Sequence, residues 1–316
     1  MRDFLKTAGM GAWHGVRAFW KLIKIVAPVY TVVTFLKYTP VLAGFARLMA
    51  PLMRFFRLPG EAAMVLILGN FINIYASLGA ITALKISGPQ LTVLSLMVLL
   101  SHSQILETAV FFQIKAKWWL LWFIRLVLSF GAGIGLAALI VPVGSNYGSV
   151  GVDFSVLQEK LVLLPAVKCW ALGLLNFGVK MLLVLVGIFL LLELAKRYGV
   201  LERVLHGLER VLKFMGYERD AGMPWLAGNV FGIVFGAGLI VESVKESRLT
   251  PKQVTLVATF LAICHGLFED TGIFLVLGAN FFWIVVPRIV LAVIVTWILS
   301  RVLKDKPALT EPVKAD

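Results

Sequence analysis

Two stretches of this chain repeat each other at their ionisable positions. His102, Glu107, Thr108 and Arg125 lie in one stretch, and His265, Asp270, Thr271 and Arg288 lie in the other, each pair separated by 163 positions. Upstream, Lys21/Lys180, Lys37/Lys196, Glu61/Asp220, Gly69/Gly228 and Asn70/Asn229 are separated by 159 positions. The four-residue difference falls in one turn, near Ser87 in the first copy and Ser247 in the second. One unit was duplicated, so the fold must be built from two similar halves. These are residues 1–141 and 165–303, with a polar, glycine-containing linker at 142–164 and a polar tail at 304–316.

The repeated ionisable groups sit in apolar surroundings. Of 316 residues, 60% are hydrophobic and only 15% are charged, against about 25% charged in a soluble domain. Several apolar runs approach the roughly 20 residues that cross a bilayer. The chain is therefore expected to be an all-α polytopic membrane protein. Its net charge of +13 reads as topology, since Lys and Arg collect on cytoplasmic loops, and not as a nucleic-acid surface. Cys169 and Cys264 both lie in apolar stretches and form no disulfide framework. The apolar stretch at 22–36 is interrupted by Lys24 and lacks a small-residue cleavage site, so it reads as a retained span rather than a signal peptide. No Gly-x-Ser-x-Gly elbow and no Walker-type loop is present. The expectation is no enzyme, no ATP-driven pump, no cofactor and no resident metal.

Residues 1–19 are basic and amphipathic, 20–36 form a first span, and 40–58 read as an interfacial helix carrying Arg47, Arg54 and Arg57. Residues 61–84 are apolar but broken by Gly69-Asn70, Asn73 and Gly79, and spans follow at 90–113 and 118–141. The second copy repeats this order. It has a long helix at 166–195, an amphipathic basic helix at 199–216, a glycine-rich segment at 221–240 (Gly228-Asn229, Gly232, Gly236, Gly238), and spans at 253–277 and 281–300. If 61–84 and 221–240 each cross, eight spans result and the positive charge is divided between the two faces. If each is a re-entrant hairpin, six spans result. The N-terminus, Lys115/Lys117, the 196–220 loop, Lys245/Arg248/Lys252 and Arg301/Lys304/Lys306 then share one face, as the positive-inside rule favours. The 40–58 arginines would lie on the other face, which counts against that arrangement. It places both termini in the cytoplasm, and the expected location is a bacterial inner (cytoplasmic) membrane. Three spans per copy invert the second copy relative to the first, the arrangement of many secondary transporters.

Ionisable groups at bilayer depth are costly and usually mark a pathway or site. His102 and His265 could relay protons or bind solute, or could serve as hydrogen-bonded packing between helices. Glu107 and Asp270 follow their histidines by five residues, so on continuous helices they do not share a face tightly. Glu269, four residues after His265, does. These carboxylates read as sites for H⁺ or Na⁺, or as structural partners of Arg125 and Arg288. The two arginines either balance that charge or snorkel to the interface. Thr108 and Thr271 are expected to bond back to their own helices. Asn70, Asn73 and Asn229 are candidate solute contacts at the hairpins, the alternative being close glycine packing in kinked helices. Cys264-His265 with Glu269 offers metal ligands, but no second Cys/His pair lies nearby.

The order of span, amphipathic helix, Gly-Asn-containing segment and polar spans resembles the nucleoside recognition (Gate) family. That family is similar to spore maturation proteins A and B, to the gate segments of the ferrous iron transporter, and to the core of concentrative nucleoside transporters. The resemblance is carried by Gly69-Asn70, Gly79 and Ala83 and covers nearly the whole chain as two copies. After Asn70 the chain runs Phe71-Ile72-Asn73-Ile74 in place of the family's small-residue Thr-Pro run. It also lacks the Gln/Thr/Glu-Ala-Pro hairpin of nucleoside transporters. The resemblance implies three spans, one re-entrant hairpin and one amphipathic helix per half. The expected function is secondary transport of a small polar solute coupled to H⁺ or Na⁺. The partners are then the bilayer, that solute, the coupling ion and a second copy of the chain, with no nucleic acid. A non-transporting assembly protein and a divalent-metal permease are the rival readings.

Overall fold

The broken segments, rather than the long spans, organise the molecule. The computed structural model describes residues 2–36, 39–142, 163–233, 238, 240–241 and 249–304. Among these, every regular element is helical. The first half holds α1 (Arg2–Leu36), α2 (Pro40–Met53) with a 3₁₀ turn at Arg54–Phe56, α3 (Ala62–Phe71), α4 (Ile74–Ala83), α5 (Gly88–Ser101), α6 (Gln104–Gln113) and α7 (Trp118–Ile140). The second holds α8 (Leu163–Arg197), α9 (Val200–Phe214), a 3₁₀ turn at Arg219–Ala221, α10 (Gly222–Phe231), α11 (Pro251–Ile263), α12 (Glu269–Leu277) and α13 (Phe281–Val302). Among the described residues, five helical stretches are long and apolar enough to cross a bilayer: Lys6–Leu36, Gly88–Gln113, Trp118–Ile140, Leu164–Arg197 and Phe281–Val302. The protein is an all-α polytopic membrane protein, as composition required. Most of the 142–164 linker, Ser247, Gly236, Lys245, Arg248 and the tail beyond residue 304 lie outside the described residues.

Three sequence expectations change. The amphipathic 1–19 segment and the first span are one continuous helix, α1. The spans expected at 90–113 and 253–277 are each interrupted. In the first, His102 is extended (ψ 163°) and Ser103 is left-handed (φ 52°). In the second, Cys264 leaves helical geometry and Gly266 is left-handed (φ 54°). Ser-His-Ser and Cys-His-Gly are runs whose members favour caps and turns over helix interiors.

Residues 62–83 double back. A Cβ on Gly69 would lie 3.1 Å from Cβ of Ser77, whereas residues eight apart on one continuous helix are about 12 Å apart along the axis. The reversal is at Ile72-Asn73, where the Asn73 side chain accepts from the Ala76 amide at 2.9 Å and starts α4. In the second copy α10 ends at Gly232, whose φ of 90° suits glycine.

The first helices of the two copies, α1 and α8, pack along much of their length and run antiparallel. Gly11 meets Leu190, Gly15 meets Val186, Trp170 donates to Thr31 at 3.0 Å, and Arg197 donates to Thr7 at 2.8 Å. The Gly11-x-x-x-Gly15 spacing lets the backbones approach; a Cβ on Gly11 would lie 2.7 Å from Cα of Leu190. At the centre stand α5 and α11, buried on every side from Gln90 to Ser101 and from Gln253 to Ile263, so both read as apolar all round.

Local contacts repeat as well. Ser87 and Gln90 form a capping box at α5, and Thr250 caps α11 by accepting from the Gln253 amide. The structural counterpart of Ser87 is therefore Thr250, not Ser247, and the 163-residue separation begins there. Gln90 donates to the Arg57 carbonyl at 3.2 Å and Gln253 to the Gly216 carbonyl at 3.0 Å, both acceptors sitting in left-handed turns. Arg57 itself donates to the carbonyls of Ala137 and Val141 at the end of α7. It caps a helix C-terminus instead of standing as a free loop charge, which weakens its weight against the six-span topology.

The contact of α4 with α1 rests on Gly79, where a Cβ would come 2.9 Å from Cβ of Val29 and 3.0 Å from the Val26 carbonyl oxygen. Gly79→Ala is expected to destabilise the protein by about 1–3 kcal/mol through overpacking. Gly44→Ala, where a Cβ meets nothing within 4 Å, should be neutral or slightly stabilising. Thermal unfolding in detergent compares the two.

Candidate functional site

Each interruption exposes two helix ends at depth: the C-terminal carbonyls of α5 or α11, and the N-terminal amides of α6 or α12. In a bilayer those groups need partners within the protein. The 62–83 hairpin and α10 supply some. The Ser103 amide donates to the Gly69 carbonyl at 2.8 Å, and the Leu267 amide donates to the Asn229 carbonyl at 3.0 Å. The arginines supply more. Arg125 donates to the carbonyls of His102 (2.6 Å) and Leu100 (3.3 Å), and Arg288 donates to the carbonyl of His265 (2.8 Å). Both arginines have 0% exposure, so neither snorkels. A cation at each helix C-terminus and a carboxylate in each first turn, Glu107 on α6 and Asp270 on α12, match the partial charges of the helix ends.

The two breaks meet. The imidazole rings of His102 and His265 lie 5.0 Å apart, centroid to centroid. Glu107 Oε1 is 3.4 Å from His102 Nε2 and 3.5 Å from His265 Nε2. Asp270 Oδ2 is 3.9 Å from both. The other oxygen of Glu107 pairs with Arg125 at 3.0 Å. Arg288 donates to Thr271 at 3.3 Å. His102, His265, Glu107, Arg125 and Arg288 are all buried, and Asp270 nearly so. The helix breaks bring Glu107 and Asp270 onto their histidines, which five-residue spacing on a continuous helix would prevent.

The histidines are oriented identically. Nδ1 of His102 faces the Val98 carbonyl at 3.1 Å, and Nδ1 of His265 faces the Leu261 carbonyl at 2.6 Å. A carbonyl oxygen only accepts, so each Nδ1 carries the hydrogen. That leaves Nε2 of each ring aimed at the Glu107 and Asp270 carboxyl groups.

Other expected residues are placed differently. Glu269 turns away from His265 and accepts from the Tyr75 hydroxyl at 3.0 Å. Asn70 and Asn229 donate to carbonyls one turn back, Leu66 at 2.7 Å and Trp225 at 2.8 Å, while Oδ1 of Asn70 is buried without a partner. Asn73 caps α4. Thr271 accepts from Arg288 rather than bonding to its own helix, and the Thr108 hydroxyl is buried without a partner. Cys264 is buried beside His265 but outside the ligating group formed by His102, Glu107 and His265.

Sequence reading missed Tyr75, Gly266 and Gln104. Both polar atoms of the Gln104 side chain are buried and unpartnered. A cavity of about 700 Å³ opens between α1, α4, α8 and α12. Exposed His14, Arg17, Lys21 and Lys196 stand at its rim, and Tyr75 and Glu269 lie deeper on its wall.

Residues 19–118 match the Gate family, described as nucleoside recognition. The expected resemblance holds there. Over 313 residues the chain is 28% identical to the uncharacterized membrane protein YvoD of Bacillus subtilis (strain 168), covering 95% of this chain and 96% of that protein. No solved structure matches the chain. The Gate match covers the first repeat up to the start of α7, so His102 and Glu107 fall within it, whereas Arg125 and the second set of site residues do not.

Arg125→Met should cost about 3–5 kcal/mol, because it leaves the Glu107 charge and the α5 carbonyls buried without a partner. The double variant Arg125→Met/Glu107→Gln should recover part of that loss, as a thermal-unfolding double-mutant cycle would read. At Gly266 an added Cβ would collide with the Asp270 carboxylate, and φ is already positive. Gly266→Ala should therefore displace Asp270 and destabilise the second break.

Proposed function

We propose that this protein is a secondary transporter, not an enzyme, that moves a small polar solute through the buried site where its two halves meet, driven by H⁺ or Na⁺. The observation that carries the reading is the convergence of equivalent residues from both copies, His102 with His265 and Glu107 with Asp270, on one point. Structural pairs could be satisfied within each half. A shared centre is what two halves moving against each other need.

Three further features support it. Equivalent helices α1 and α8 run antiparallel, which is the relation an inverted repeat requires. The site is formed by discontinuous helices and hairpins at depth, where irregular backbone lines a pathway or is packed in protein. The cavity with the charged rim reaches Glu269, the neighbour of Asp270, from one side of the molecule. In this reading the Glu269–Tyr75 pair stands between cavity and centre, Asn70 offers its free Oδ1 to solute, and Arg125 and Arg288 balance charge. Asn73 and Asn229 shape the hairpins. The protein then sits in a bacterial cytoplasmic membrane with both termini inside.

Uptake into proteoliposomes across a panel of nucleosides, amino acids, small anions and cations, with and without H⁺ or Na⁺ gradients, tests the reading. Gradient-dependent uptake that falls at least tenfold in Glu107→Gln and Asp270→Asn is expected. A well-folded protein with no flux for any solute, in which His102→Ala and Asp270→Ala change only stability or partner binding, would favour an assembly role instead. The inverted arrangement has its own test. Cysteines at Ser87 and Thr250 should label from opposite sides of the membrane.

A further inference from the structure

We propose that the central cluster binds one divalent transition-metal ion through Nε2 of His102 and His265 and the carboxylates of Glu107 and Asp270. The proposal rests on reading the cluster as the protein's working site, as the preceding section does, but it requires no transport.

The first argument is the identity of the converging atoms. With each Nδ1–H given to a backbone carbonyl, the two Nε2 atoms and the carboxylate oxygens are all acceptors. Acceptors crowded at 3.4–3.9 Å in a buried space repel one another unless a proton or a metal ion lies between them, and four such atoms facing one point offer more ligands than a single proton uses. The ligating atoms of His102, Glu107 and His265 all fall within 4.8 Å of one another.

The second argument is size. Ligand atoms about 2.0–2.2 Å from a tetrahedral ion are roughly 3.3–3.5 Å from each other. Both histidine-to-Glu107 separations, 3.4 and 3.5 Å, fall in that range. Asp270 at 3.9 Å from both histidines completes the fourth corner with a shift of a few tenths of an ångström.

The third argument is the shell behind the ligands. Imidazoles that bind metal characteristically donate their other nitrogen to a carbonyl or carboxylate, and ligating carboxylates are themselves hydrogen-bonded. Here the Val98 and Leu261 carbonyls hold the two rings, and Arg125 forms an ion pair with the far oxygen of Glu107 at 3.0 Å. Two imidazoles with two carboxylates suit the borderline divalent ions of the zinc, cobalt and iron type, and suit Mg²⁺, Ca²⁺ or Na⁺ poorly. The two carboxylates neutralise the ion's charge. The arginines face the carbonyl ends of α5 and α11, whose partial negative charge offsets theirs.

Purified full-length protein in detergent, stripped with chelator and titrated with Co²⁺, is the test. One equivalent of Co²⁺ with the intense visible absorption of four-coordinate nitrogen–oxygen ligation is expected, displaced stoichiometrically by Zn²⁺. His102→Ala and His265→Ala should each weaken binding by more than the roughly 10–100-fold typical of losing a supporting residue. His206→Ala, which alters an exposed histidine on α9 away from the site, should leave it unchanged. Should the alanine variants unfold, Glu107→Gln and Asp270→Asn provide near-isosteric replacements expected to weaken Co²⁺ in the same way. No stoichiometric Co²⁺ in the wild type, a six-coordinate spectrum, or binding lost with His206 instead would overturn the proposal. Metal bound without uptake would leave it standing and remove the transport reading; uptake of an organic solute without metal binding would do the reverse.

Discussion

A bilayer offers no water to a broken helix, and the whole architecture answers that constraint. Four helix ends are left at depth by the breaks after α5 and α11, and each end carries partial charge as well as unpaired backbone groups. The chain meets the two negative ends with Arg125 and Arg288 and places Glu107 and Asp270 in the positive first turns. It ties one amide at each break, Ser103 and Leu267, to the Gly69 carbonyl of the hairpin and the Asn229 carbonyl of α10. The buried charges are thus explained from the backbone outward. They neutralise helix ends first, and the centre they enclose follows from that.

Duplication turns this device into a site. One half alone would hold a histidine, a carboxylate and an arginine beside a single break. Packing two such halves with their first helices antiparallel sets the breaks face to face, so that each histidine touches the carboxylate of the other copy as well as its own. The copies are not identical. Arg125 pairs with Glu107, whereas Arg288 takes Thr271, and Asp270 is shorter than Glu107 by one methylene. The Glu107 side is consequently the tighter of the two, and Tyr75 with Glu269 breaks the symmetry again on the cavity side.

Much of this was legible in the residues. The repeat separation singled out His102, Glu107, Arg125, His265, Asp270 and Arg288, which the structure brings together, and the apolar composition pointed to the membrane class. The breaks at 69–73 and Gly232 were visible because glycine and asparagine punctuate apolar runs. The breaks at His102 and Cys264–Gly266 were not read, because hydropathy averages over Ser-His-Ser and Cys-His-Gly and reports an unbroken span. That error misplaced Glu107 and favoured Glu269 over Asp270 as the partner of His265, since helical spacing was applied across a residue that is not helical. The Tyr75–Glu269 contact joins residues of different copies with no repeated counterpart, so no periodicity could reveal it. Pairing Ser87 with Ser247 rather than Thr250 reflects the same limit, because capping geometry fixes the register and composition does not.

The central claim is that equivalent residues of the two halves share one buried point. Thiol cross-linking tests it most directly, in a His102→Cys/His265→Cys chain lacking the native cysteines and carrying a protease site in the 142–164 linker. After reaction with a short bifunctional thiol reagent and proteolysis, the halves are expected to remain covalently joined on a denaturing gel. Halves that separate fully, in protein whose folding is verified and whose two cysteines have reacted, would contradict the account.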